Sequence, residues 1–198
     1  MRGISSLLLA GLALCGPAWA GALDAAPGFR NGGFEKGDFA GWVLNAPYTE
    51  VISQDYDGFA PHKGSNYALL GARGADGTLS QSFLDVAGET LQIGFWLASD
   101  GDSPNNLKLT FDGHALLRLT DLPREGWIYY SADATATGHD VLRFSFRDDG
   151  GYLALDSVSV RPAALTLEAV PEPASVALLG VGVAALAWRR RRKEGLLF

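Results

Sequence analysis

Thr90-Leu91-Gln92-Ile93-Gly94-Phe95-Trp96-Leu97-Ala98 sets Leu91, Ile93, Phe95 and Leu97 on one side of a two-residue alternation, and Gln92, Gly94 and Trp96 on the other. Side chains on a pleated strand point to alternate faces, so this run reads as a strand with one buried face. The pattern recurs downstream. Leu107, Leu109 and Phe111 alternate with Lys108 and Thr110. Val141–Arg147 places Leu142, Phe144 and Phe146 inward and Arg143, Ser145 and Arg147 outward. The same reading predicts strands at Trp42–Ser53, Tyr67–Leu70, Leu79–Val86, Ala115–Leu119, Trp127–Ala132 and Leu153–Val160. Turn clusters separate them at Gly71–Gly77, Ser99–Asn106, Asp112-Gly113, Pro123–Gly126 and Asp148–Gly151. Asp112-Gly113 between alternating runs is a tight-hairpin signal. About nine short strands with glycine-rich turns and no long helical period predict an all-β fold, a single β-sandwich.

Alternation also sorts the aromatics. With Phe95 inward, Trp96 lies on the opposite face, and Tyr129-Tyr130 split in the same way. Trp42, after Gly41, reads as a core plug. Tyr48, Tyr56 and Phe59 fall in the long polar stretch Asn45–Asn66, and loops carry function more often than strands do. Tyr48, Tyr56, Phe59 and Trp96 are therefore the candidate ligand-stacking aromatics, with ordinary packing as the competing reading of each. Asp100-Gly101-Asp102 and Asp148-Asp149-Gly150-Gly151 read as turn chemistry before metal chemistry, because both residue types tolerate unusual backbone angles.

The chain has 198 residues, with 16 Lys+Arg and 22 Asp+Glu. Six of the cations sit at the two ends, so the body from Gly21 to Val170 carries 10 cations and 20 anions, a net of −10. That surface disfavours nucleic acid and anionic lipid, and suits neutral glycans, divalent cations or plain solubility. Met1-Arg2, the apolar run Ile4–Cys15 and Ala18-Trp19-Ala20 form a signal peptide, residues 1–20, with cleavage by signal peptidase expected after Ala20. Cys15 is the only cysteine, so the exported protein is expected to contain no disulfide. A body of about 150 residues suits one domain with one core.

The other end reads Val170-Pro171-Glu172-Pro173, then the apolar run Ala174–Trp188, then Arg189-Arg190-Arg191-Arg192-Lys193. The apolar run spans about 22 Å as a helix, short of the roughly 20 residues that a bilayer core needs. The basic stop is expected to stay cytoplasmic. This arrangement resembles the PEP-CTERM sorting signal. The resemblance implies an exosortase that reads Val170–Pro173, removes the tail and passes the protein from the inner membrane to the cell surface or extracellular matrix. A permanent membrane anchor is the alternative. The expected organisation is signal peptide 1–20, sandwich ectodomain 21–161, linker 162–169 and sorting segment 170–193 with its hydrophobic helix.

Asn31-Gly32-Gly33-Phe34-Glu35, Gly41-Trp42 and the closing Leu153-Ala154-Leu155-Asp156-Ser157-Val158 resemble the jelly-roll domains of the galactose-binding-like superfamily. Many extracellular carbohydrate-binding modules share that fold. Ser157 stands where such domains often carry a second aspartate. The resemblance implies a jelly roll whose first and last strands lie together, with one structural Ca2+ held by Glu35 and Asp156. Two carboxylates with backbone carbonyls outline a hard-oxygen site. The other reading has Asp156 capping a backbone turn and Glu35 paired with Lys36 or an arginine.

Catalytic signatures are sparse. No Gly-x-Ser-x-Gly elbow or His-Glu-x-x-His motif occurs, and His62, His114 and His139 stand alone. The expectation is a protein that is not an enzyme and has no catalytic residues. It is expected to bind polysaccharide or neighbouring surface proteins. A structural biofilm component without a small ligand is the alternative, and a glycan hydrolase the third reading.

Overall fold

The computed structural model describes residues 26 and 28–163, and these are all-β. Eight strands follow in order: β1 (Val43–Asn45), β2 (Glu50–Ile52), β3 (Tyr67–Leu84), β4 (Thr90–Ser99), β5 (Asn105–Phe111), β6 (His114–Thr120), β7 (Glu125–Thr135) and β8 (His139–Pro162). All pairings are antiparallel. β3 and β8 are long enough to pass through both layers of a sandwich. Their halves at 77–84 and 139–148 pair with each other and, on either side, with β1 and with β5, which pairs with β6. Their other halves pair at 68–70 and 153–155 and continue to β2 and to β4, which pairs with β7. Each layer therefore has five strands.

The inner faces meet in one core. Leu91, Ile93, Phe95 and Leu97 of β4 face Leu107, Leu109 and Phe111 of β5 and Leu142, Phe144 and Phe146 of β8, as the alternation predicts. Phe144 sits edge-on to Phe95 at 5.2 Å and against Trp42 at 6.3 Å, so Trp42 is the core plug expected. Asp112 (φ 49°) and Gly113 (φ 80°) both take the positive φ of a type I′ turn and close the β5–β6 hairpin.

Four boundaries differ from the sequence reading. Gly71–Gly77 and Asp148–Gly151 do not reverse the chain. They bend β3 and β8 where the register shifts between Leu70 and Gly77, so each expected pair of strands is one strand. Glycine and aspartate mark a bend between two layers as readily as a hairpin. Trp42–Ser53 is two short strands, interrupted around Tyr48 (φ 57°). The expected linker begins late, because Pro162 still pairs with Leu91. The signal peptide 1–20 and the sorting segment 170–193 lie outside the described residues.

A second, smaller apolar cluster lies on the outer side of the β4–β7 layer. Phe59 packs there with Tyr67, Leu69, Ala98 and Ala154. The Tyr67 hydroxyl donates to the carbonyls of Phe59 (2.6 Å) and Gln54 (3.2 Å). The segment between β2 and β3 is thereby folded over the layer. Both faces being covered, Tyr67–Leu70 and Leu153–Asp156 are buried without alternation.

Candidate functional site

The opening segment meets the last strand, but not as the strand pair that the jelly-roll resemblance implies: it forms no strand of its own, and β1 pairs with β3. Val158 donates its N–H to the Gly32 carbonyl at 2.9 Å, and Ala26 donates to the Val160 carbonyl at 2.8 Å. β8 carries a bulge here: Trp96 pairs with Asp156 but Gly94 with Ser159, and Ser157 takes φ 52°. The extra residue resets the alternation, so Leu155 and Val158 both face the core while Asp156 points out beneath the β2–β3 segment.

Both expected carboxylates reach that segment. Glu35 accepts N–H bonds from Ser65 (3.1 and 3.0 Å to its two oxygens) and Asn66 (3.2 Å). Asp156, fully buried, accepts from Lys63 at 3.1 Å and from Ser157. Gly33 lies between them: a Cβ there would stand 3.7 Å from Glu35 Cγ and 3.8 Å from Asp156 Oδ1. Burial pushes the Asp156 carboxyl up, opposed by the N–H bonds from Lys63 and Ser157 and by His62. Among the described residues neither carboxylate has a salt-bridge partner, and no group of three or more His, Cys, Asp or Glu side chains is arranged for a metal. A carboxylate offers about four lone-pair sites. The pair therefore keeps acceptor capacity for a hard cation, whose remaining ligands would have to be carbonyls or water.

Beside this junction the same segment walls a cleft of about 570 Å3. Residues 57–62 form one wall and residues 124–127, at the start of β7, the other. Arg124 ties the walls together. It donates to the Asp57 carboxylate and to the Asp57 carbonyl, each at 2.8 Å, and its guanidinium lies 6.0 Å from the Phe59 ring centre. Trp127 Nε1 donates to the Ala60 carbonyl at 3.0 Å.

Aromatic rings line the cleft and the adjoining sheet face. His62 stacks on Trp96 at 4.0 Å and meets Trp127 edge-on at 5.9 Å. Trp96 lies 5.5 Å from Tyr129, its direct cross-strand neighbour. Tyr129 crosses Gly94 so closely that a Cβ there would sit 2.3 Å from the phenol oxygen. The phenol end thus rests close against the Gly94 backbone, while the residue as a whole is 47 % exposed.

Of the four expected aromatics, the structure brings Trp96 and Phe59 to this region, Phe59 as a buried wall residue. Tyr48 lies apart under Arg73, and Tyr56 packs edge-on against Tyr152. His62, Arg124, Trp127 and Tyr129 were not singled out as site residues from the sequence. Trp127 and Tyr129 share a strand face, which was the one available signal.

Comparison with solved structures gives the class of the fold: its neighbours include carbohydrate-binding modules with a jelly-roll fold. TmCBM61, solved in complex with beta-1,4-galactotriose, is 20 % identical with a TM-score of 0.52, covering 69 % of this chain and 99 % of the module. The CBM22-1 xylan-binding domain of Paenibacillus barcinonensis Xyn10C is 17 % identical with a TM-score of 0.50, covering 72 % and 97 %. The enzymatically active domain of tailspike protein 4 from bacteriophage CBA120 is 15 % identical with a TM-score of 0.52, and this chain spans 22 % of it. The PEP-CTERM protein-sorting motif matches residues 169–192, which implies export. No curated protein matches the chain.

Proposed function

We propose that this protein is an exosortase substrate whose jelly-roll domain binds neutral polysaccharide, without catalysis, at the cell surface or in the extracellular matrix. The observation that carries the reading is Tyr129, whose phenol passes close over Gly94 while the residue stays exposed beside Trp96 and near the cleft. Sugar rings stack on such faces as other apolar surfaces do. The cleft's charges favour a neutral ligand. Arg124 is already paired with Asp57, which leaves Glu125 as the unpaired charge of the walls. A two-carboxylate hydrolysis would need both acids free across the cleft.

One structural Ca2+ at Glu35 and Asp156 belongs to the same reading. The support is a pair of carboxylates without a cation partner, one of them buried. Both hold residues 63–66, which continue into the segment that walls the cleft. Bound there, the ion would neutralise the pair and stiffen that wall.

The test is binding of the full chain, in mild detergent, to a panel of neutral and uronic-acid polysaccharides. Tyr129→Ala and Trp127→Ala are each expected to weaken binding of a neutral polymer by about 1–3 kcal/mol, the range for loss of a stacking aromatic at a hot spot. Undiminished binding in both variants, or preference for the acidic polymers, refutes the assignment.

A further inference from the structure

The loop between β4 and β5 holds a second group of carboxylates, far in sequence from the stretch it touches. Asp148, at the bend of β8, is wholly buried. Its Oδ1 accepts N–H bonds from Gly151 (2.8 Å) and Gly150 (3.3 Å), while its Oδ2 is buried with no hydrogen-bond partner. Asp100 and Asp102 of the loop lie against the same two glycines. A Cβ on Gly151 would stand 1.8 Å from Asp100 Oδ2, and one on Gly150 would stand 2.9 Å from Asp102 Oδ2. Asp100 Oδ2 also accepts the Tyr152 N–H at 2.6 Å, which ties the loop to β8.

The neighbouring cations are paired with other carboxylates, although Arg124 also reaches the Asp100 carbonyl and lies near the charges of Asp100 and Asp102. On β8, Arg147 is bound to Asp149. From the bend of β3, Arg73 lies near Asp149 and Asp76 near Arg147. β5 contributes the uncharged Asn105, whose side chain bonds the Asp102 and Leu122 carbonyls. Before β7, Asp121 accepts from Ser103 and Arg124 is paired with Asp57.

We propose that Asp100, Asp102 and Asp148 form a proton-gated clasp, which holds the β4–β5 loop tightly when Asp148 is protonated and loosens it when all three are ionised. A proton removes the charge from the orphaned, buried oxygen, whereas the fully ionised group buries a charge near two like charges. Burial pushes the Asp148 carboxyl up to about 6; the Gly151 and Gly150 N–H bonds oppose this, and the Asp100 and Asp102 charges add to it. The folded protein thus holds this proton more tightly than the unfolded chain does. The stability it contributes is full below the ordinary aspartate value of 3.8 and is lost as the pH rises through about 6.

The clasp reaches the cleft through two contacts. The Asp100 carbonyl accepts from Arg124 Nη1 at 3.3 Å. Gly101 (φ 85°) lies so close to the Arg124 backbone that a Cβ would stand 2.6 Å from its nitrogen. Loosening the loop therefore removes contacts that help position Arg124, while its bonds to Asp57 remain. The clasp itself is independent of the polysaccharide reading, and its test uses no glycan.

Asp148→Asn keeps an acceptor for Gly150 and Gly151 and places an uncharged donor where Oδ2 lies. The full chain and this variant are unfolded with urea between about pH 4 and about pH 7. The wild-type unfolding constant is expected to rise roughly fiftyfold more than the variant's over that range. Amide protection of residues 101–103 and 105 should fall over the same range in wild type and hold steady in the variant. Parallel pH profiles for the two proteins overturn the proposal. So does a difference that vanishes in chelator, since the group would then be a cation site. Should Asp148→Asn fail to fold, Asp102→Asn removes a like charge from the exposed loop and must lower the midpoint of the wild-type pH transition. An unmoved midpoint also overturns the clasp.

Discussion

Phe144→Ala removes a fully buried ring from the core between the two layers. The side chain is fully buried, edge-on to Phe95 at 5.2 Å and tilted against Trp42 at 6.3 Å. Truncating a buried Phe costs about 3–5 kcal/mol, from lost transfer energy plus the cavity left behind. The edge-on pair with Phe95 adds about 0.5–1.5 kcal/mol beyond its buried area, which puts the expectation in the upper half of that range. For a domain of about 140 residues, this lowers the melting temperature by roughly 12–18 °C. Arg143, one residue earlier, has an exposed side chain, and Thr110 bonds its backbone carbonyl, which survives truncation. Arg143→Ala should therefore cost under about 0.5 kcal/mol. Paired urea and thermal denaturation of the two variants in one buffer measures the contrast. Similar midpoints would show that the alternation assigned to β8 is wrong.

Replacing Pro171-Glu172-Pro173 with alanines should leave the protein in the membrane fraction, and equal release of mutant and wild type would refute exosortase processing. Glutamines at Arg189–Lys193 should instead impair retention or orientation during export. If calcium binds at Glu35 and Asp156, a hundredfold excess over Kd stabilises the fold by about 2.7 kcal/mol. Chelator should then lower the melting temperature of wild type and leave Asp156→Ala unmoved; a wild type indifferent to chelator removes the ion. Gly32→Ala would drive a Cβ to 1.9 Å from the Val158 carbonyl oxygen, whereas at Gly33 the nearest atom is 3.7 Å away. The first should cost about 1–3 kcal/mol or more in forced backbone shifts, and the second should stay within about 1 kcal/mol of neutral; equal midpoints would refute the close approach of the two chain ends.

The strands around Phe95, Leu109 and Phe144 were legible because their inward positions are uniformly large and apolar while the opposite positions are small, polar or only partly covered, and a two-residue period reports that directly. The bends of β3 and β8 were not, since Gly71–Gly77 and Asp148–Gly151 have the composition of a reversal and the pairing that keeps the chain going is non-local. The same limit hid the cleft. Trp96 was placed correctly on the outer face, yet its meeting with Tyr129 depends on the β4–β7 register. His62 joins them only because the β2–β3 segment folds over that face. Tyr48 was drawn in by its loop setting, and instead lies under Arg73. The expectation that Glu35 and Asp156 meet came from the resemblance of the end motifs to jelly-roll domains, not from spacing, and their shared hold on residues 63–66 was not legible in the sequence.

The placement of β8 has a mechanical consequence. Its final stretch is flanked by β4 on one side and held by the opening segment through Gly32 and Ala26, and Ala163 still donates to the Thr90 carbonyl at 2.7 Å. Interstrand bonds in an antiparallel pair lie across the strand direction. Tension entering at residue 163 along the strand loads many of these bonds together in shear, whereas a hairpin pulled from its open end would unzip bond by bond. Rupture under such a load is governed by the unfolding rate. A domain built this way resists being unravelled by a pull on the segment that leaves it at residue 163.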